Sequence, residues 1–254
     1  WFKVRARDMF ISLPGLTIAI QENDYFKLVM DTAKKAIYEF MSGRPLTGLI
    51  CEIEQPDVLL WAIWALQQYA HEMGNAIAYQ EYGTFLEDML RFIESGTHPN
   101  LELKENGLLH IEGRDEPMTW MNSTVNGKPV VPRTGYVVEI NALWYNALKF
   151  IAEMAISNGK PEKAAELDAR ADIAKESFQR IFVNPNGYLF DYVEDGITDW
   201  SVRPNMIFPV AFDYSPLEPE QKKSVLDFCT RELLTPKGLR TLSPKSGGYN
   251  PIYA

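Results

Sequence analysis

Two stretches of this sequence read as helices that are apolar nearly all round, and each is followed by a helix with a single apolar stripe. The first runs from Asp57 to about Met73 and carries Leu59, Leu60, Trp61, Ile63, Trp64 and Leu66. The second runs from Glu139 to Ala155 with Ile140, Leu143, Trp144, Leu148, Ile151 and Met154. Such helices must be covered on most faces. Their followers, about Ala76 to Ile93 and Pro161 to Ile181, are one-sided; the second has Ala164, Leu167, Ala171, Ala174, Phe178 and Ile181 on its stripe. Asp24–Met41 and Glu218–Leu234 are amphipathic in the same way. An inner layer needs apolar helices and an outer layer needs amphipathic ones, so the pattern predicts an all-α chain of concentric helix pairs, an α/α barrel or toroid. About eight helical segments are countable. A closed ring of six pairs needs more, so the expected toroid is incomplete in this chain. Phe10–Ile20 is apolar with a break at Pro14-Gly15, and only Leu108–Ile111 and Tyr188–Val193 look extended. No repeat or linker divides the chain, and residues 1–254 read as one domain.

Composition narrows the function classes. Hydrophobic residues make up 46% and aromatics 12%, which is globular rather than disordered. The formal net charge is −9, without basic runs, so a nucleic-acid backbone would be repelled and a neutral polymer would not. No apolar run reaches the roughly 18 residues a membrane span requires. Cys51 and Cys229 lie far apart in apolar helical surroundings and read as small buried hydrophobes; with no visible signal peptide, they fit a cytoplasmic protein. His71, His98 and His110 lack metal-ligand spacing, and no nucleotide fingerprint or nucleophile elbow occurs, so no metal or cofactor is expected. The chain opens at Trp1 without Met and stops in the loop Gly247–Pro251, which reads as a segment cut from a longer protein.

Five polar clusters carry the candidate chemistry. Trp1-Phe2, Arg5 and Arg7-Asp8 precede the first apolar helix; an adjacent Arg and Asp can clamp two hydroxyls, or form a solvated ion pair at a helix start. Glu52, Glu54 and Asp57 precede Trp61 and Trp64, and Asp57 can cap its helix. The richest cluster is the Pro- and Gly-shaped loop Arg114–Gly135, with Asp115, Glu116, Trp120, Asn122 and Arg133, leading into Glu139 at the positive end of an apolar helix. Arg203-Pro204-Asn205 and Gly238–Pro244 are further polar loops beside apolar helices.

Taken in order, these segments resemble a known family. The series is Arg7-Asp8 with Leu13–Leu16, Asp57 with Leu60-Trp61, Thr119-Trp120-Met121, Pro132-Arg133-Thr134-Gly135, Val138–Leu148, Arg203-Pro204-Asn205, and Leu233–Pro236 with Gly238–Leu242. It resembles, almost end to end, the amylo-α-1,6-glucosidase domain of glycogen debranching enzymes, relatives of the glucoamylases. The resemblance implies an (α/α)6 barrel whose site lies in the funnel at the ends of the inner helices. It implies inverting hydrolysis of α-1,6 branch linkages in glycogen-like α-glucans, with two carboxyl groups roughly 6.5–9.5 Å apart. Arg7 and Asp8 would bind a terminal glucose, and Trp120 and Trp144 would wall the pocket. Asp57, Asn122, Arg133 and Arg203 would complete the substrate-binding set. Asn122 stands where the family usually has its general-acid Asp, and an amide has no proton to donate; Glu139 and Asp115 are the catalytic candidates in its place, with Glu116 a third carboxyl nearby. The general base would lie beyond Ala254, and a β-sandwich domain commonly precedes the barrel in bacterial relatives. The alternatives are a glucan-binding barrel without catalysis, or another α/α-barrel glycosidase acting on a disaccharide.

Overall fold

The computed structural model describes residues 3–252, and Trp1-Phe2 of the first cluster lie outside them. Among the described residues there are eight α-helices: α1 (Ala6–Leu16), α2 (Asn23–Met41), α3 (Val58–Met73), α4 (Asn75–Glu94), α5 (Val138–Ser157), α6 (Pro161–Phe182), α7 (Phe208–Ala211) and α8 (Pro219–Leu233). The odd-numbered helices form an inner row in which α1 packs on α3, α3 on α5 and α5 on α7. The even-numbered helices flank it, α4 against α3 and α5, α6 against α5, and α8 against α7. The outer helix α2 meets α4 through Lys27–Glu81 and Tyr38 Oη to Asp88 Oδ2 at 2.9 Å. It meets α3 through Phe26 stacked on Tyr69.

Burial follows the hydrophobic pattern. In α5, 16 of 20 residues are buried, whereas α6 buries 7 of 22. The α6 side chains so buried are those of its predicted stripe, except Ile181, which is only partly covered, with Ser177 and Phe182 added. The alternation of helix types thus appears as two layers.

Two local expectations are revised. Helix α1 begins at Ala6, not Phe10, and continues through Pro14-Gly15, so Arg7 and Asp8 occupy its first turn rather than preceding it. Pro14 removes the backbone donor that would bond the Phe10 carbonyl, and the Thr17 hydroxyl caps the last turn by donating to the Leu13 carbonyl at 2.6 Å. The chain also contains more sheet than its pattern announces. Short antiparallel strands at Glu102–Leu103, Leu109–Ile111, Gly135–Val137, Tyr192–Glu194 and Ile197–Thr198 form one five-stranded sheet in that order. The two stretches expected to be extended do not pair with each other. Gly135–Val137 lies between them, with Tyr136 opposite both His110 and Val193. A three-residue strand running straight into a helix is too short to show alternation.

This sheet is fastened to the start of α5. Asn141 is fully buried; its Oδ1 accepts the Leu109 N–H at 2.8 Å and its Nδ2 donates to the Leu109 carbonyl at 3.0 Å. The Val138 N–H donates to the Asp191 carbonyl at 3.1 Å. The sheet and the N-terminus of α5 therefore present their polar side chains to the same region.

Candidate functional site

Two buried charge clusters occupy the N-terminal ends of the inner helices. In the first, Arg7 of α1 makes a two-pronged pair with Asp57, Nε to Oδ2 at 2.7 Å and Nη2 to Oδ1 at 2.8 Å. Asp57 precedes α3 but its carboxylate makes no cap bond; it accepts instead from Arg7 and from Trp61 Nε1 at 3.2 Å. This replaces the expected helix cap, because a buried guanidinium needs a carboxylate more than a helix end needs a cap. Burial lowers the Arg7 pKa, but Asp57 outweighs it and the net shift is upward.

The second cluster is larger. Arg133 Nη2 donates to Glu139 Oε2 at 2.6 Å, and Nη1 bonds Glu139 Oε1. The same guanidinium reaches Asp191, Nη2 to Oδ1 at 3.0 Å and Nε within 2.9 Å of Oδ2. Arg203 Nε lies 3.3 Å from Asp191 Oδ2. Two cations and two carboxylates therefore cancel, as charges removed from water must. Burial pushes the Glu139 carboxyl up, against the pull of Arg133 and with the neighbouring Asp191 adding to the rise. For Arg133, burial acts downward but Asp191 and Glu139 prevail, so the guanidinium is held firmly cationic.

The loop Met118-Thr119-Trp120 joins the clusters. The Met118 carbonyl lies 3.4 Å from Arg7 Nη2, the Thr119 hydroxyl accepts from Arg133 Nη1 at 3.2 Å, and Trp120 Nε1 donates to Asn205 Oδ1 at 2.9 Å. Asn205 in turn donates from Nδ2 to Asp191 Oδ1 at 2.6 Å. The indole is thus tied to the buried network by its edge while 37% of the residue stays exposed. Beside it opens a cavity of about 430 Å³ lined by Trp120, Met121, Asn122, Arg203, Thr241 and Leu242, among others. Three of the five sequence clusters therefore meet at one mouth.

The other candidate positions are distributed as follows. Asp8 is exposed on the first turn of α1, and Asp115 and Glu116 are exposed on the loop; none of them lines this cavity. Glu139 sits behind it with both oxygens on Arg133. Trp144 is 1% exposed, donates its indole N–H to the Gly107 carbonyl at 3.0 Å, and borders a different cavity with Leu103, Arg170 and Ile173. It is not a wall of the Trp120 mouth, because the face of α5 that carries it turns toward the outer layer. Asp191 escaped the sequence reading; its one signal is a carboxylate inside the otherwise apolar Tyr188–Val193 stretch. Among the described residues no group of three or more His, Cys, Asp or Glu is placed to hold a metal ion. No helix there is long and apolar enough to cross a membrane. Cys229 is buried and Cys51 half-buried, both as free thiols.

The chain is similar to a glycogen debranching enzyme of Saccharomyces cerevisiae, with 24% identity over 283 residues, covering 91% of this chain and 18% of that protein. Its fold is similar to that of a GH78-family rhamnosidase of Bacillus sp. GL1, with a TM-score of 0.51 and 18% identity, over 69% of this chain and 17% of that one. The chain spans less than a fifth of the length of either relative. The family model described as amylo-alpha-1,6-glucosidase matches residues 1–254, and the chain belongs to that family.

Proposed function

We propose that this chain is the glucan-holding part of a debranching glycosidase that hydrolyses α-1,6 branch linkages with inversion, its helix pairs belonging to a closed (α/α)6 ring in the full-length protein. The observation that carries this reading is the cavity beside Trp120. An indole face held by its N–H offers an apolar platform to a sugar ring, while the Asn122 amide and the Arg203 guanidinium offer hydrogen bonds to hydroxyls. Glu139, with both oxygens engaged, acts in this reading by fixing Arg133 rather than by proton transfer. Among the described residues lining the cavity none is a carboxylate. The acid and base that inversion requires then come from carboxyls outside this lining.

The same lining favours a second reading, a glucan-binding barrel without turnover, since Asn122 occupies the position where the family resemblance places the general acid. One experiment separates the two. The full-length protein is incubated with a limit dextrin bearing single-glucose α-1,6 branches, and the anomer of released glucose is followed by NMR. Debranching predicts release of β-glucose and a fall of about tenfold or more in kcat/KM for Trp120→Ala. Folded protein that binds malto-oligosaccharides without releasing glucose, and gains turnover with Asn122→Asp, establishes the second reading. Neither binding nor release would overturn both.

A further inference from the structure

A larger cavity, of about 740 Å³, lies on the other side of the wall that carries Arg203. Its lining includes Tyr188, Trp200, Phe228, Arg231, Glu232 and Lys245. The two cavities share their wall. Arg203 is extended, with φ −123° and ψ 158°, and successive side chains of extended backbone point to opposite sides. Val202 accordingly lines the large cavity and Arg203 the small one. The neighbouring segment of the wall repeats the division, with Leu242 on the small cavity and Ser243 on the large. The Ser243 N–H donates to the Val202 carbonyl at 3.0 Å and closes the wall.

The chemistry of the large cavity suits a neutral polyol. Trp200 is 52% exposed, braced edge-on by Phe190 at 4.7 Å, and its carbonyl accepts the Tyr188 hydroxyl at 3.1 Å. Tyr188 stacks on Phe228, over which the Arg231 guanidinium lies at 4.5 Å. The formal charges of the lining balance, Arg231 and Lys245 against Glu232 and Asp199. Buried Glu232 accepts from Lys245 at 2.8 Å, Arg231 at 3.1 Å and Ser243 at 3.3 Å, and Asp199 lies 3.6 Å from Arg203. With its charges matched, the cavity has no surplus charge to draw an ion. It presents an aromatic face and several oriented donors and acceptors, the features that bind sugar rings.

We propose that this cavity is a second α-glucan site, which grips an outer chain of the polymer while a neighbouring branch end occupies the Trp120 cavity. The proposal rests on the glucan reading of the Trp120 site. Its test compares substrates of two sizes on the full-length protein, a short branched oligosaccharide that fills one site and a long-chain branched polymer that reaches both. Trp200→Ala is expected to raise KM for the polymer roughly tenfold while leaving kcat and the short-substrate kcat/KM within about twofold. Arg231→Ala, at an exposed residue, is expected to show the same pattern more weakly and guards against a folding defect in the first variant. If the full-length protein binds but does not turn over, the same comparison is made on dissociation constants. Equal losses on both substrates, or no loss on either in both variants, overturn the second site and leave the Trp120 reading standing. Loss of all binding by Trp120→Ala with unaltered polymer binding by Trp200→Ala does so as well. A wild-type protein that binds neither substrate removes the first reading, and this proposal with it.

Discussion

At the scale of single residues, the site is organised by buried charges of opposite sign set against one another. Arg7 and Asp57 satisfy one another, and Arg133 and Arg203 share Glu139 and Asp191. Removing one partner from such a set leaves an uncompensated charge away from water, which costs far more than the pair itself contributes. Asp191→Asn is therefore expected to lower stability by about 3 kcal/mol, read as a reduced urea midpoint with unchanged slope. Asp115→Asn, on the exposed loop, is expected to stay within about 0.5 kcal/mol of the parent. Equal effects of the two substitutions would mean that the buried network is not what holds the site. Asp191 also sets the direction of the Asn205 amide, since its oxygen can only accept. That direction leaves the Asn205 oxygen free for the Trp120 N–H.

At the scale of elements, the site depends on a short strand that turns directly into a helix. Gly135 opens this strand with φ 88°, and a Cβ placed there would lie 2.4 Å from the Val193 carbonyl oxygen. Both the backbone conformation and the paired strand exclude a side chain. Gly159, just beyond α5, has φ 71° but open space around it. Alanine at Gly159 should cost about 1 kcal/mol from backbone conformation alone. Alanine at Gly135 should cost about 3 kcal/mol or more, because strand displacement adds to the same strain. Paired denaturation curves check this; a Gly135→Ala loss no larger than that of Gly159→Ala would show that the strand pairing is dispensable. The Gly135 variant should also disturb the Trp120 cavity, because Arg133 and Glu139 stand on either side of the strand.

At the scale of the whole molecule, one buried histidine ties stability to pH. His98 is 4% exposed between Phe40 and Phe92, with Nδ1 accepting the Asn100 N–H at 3.2 Å. Burial lowers its pKa from 6.5 to about 4. Below pH 6.5 the unfolded chain takes up a proton that the folded chain refuses until about pH 4, so stability falls as pH drops across that window. The full effect is about 3 kcal/mol. His98→Asn, which keeps an acceptor for Asn100, should flatten the slope of unfolding free energy between pH 6.5 and 4. An unchanged slope would assign the acid sensitivity to the carboxylates instead.

What this sequence determined alone was the layering and the set of segments able to carry chemistry. Burial on one face or on all faces is written in residue spacing, so α3 and α5 could be told from α4 and α6 before any contact was known. The ordered motifs likewise pointed to the Trp120 loop and to Arg203. Which polar groups face one another was decided only in three dimensions. Asp57 could have capped α3 but pairs with Arg7, 50 residues away. Trp144 could have faced the mouth but bonds the Gly107 carbonyl and borders a cavity with Arg170 and Ile173 of α6. Asp191, a carboxylate just ahead of the strand Tyr192–Glu194, meets Arg133 from 58 residues away. Helical periodicity is local and survives in the sequence, whereas the partner of a buried charge is chosen by whichever segments the fold brings within about 3 Å.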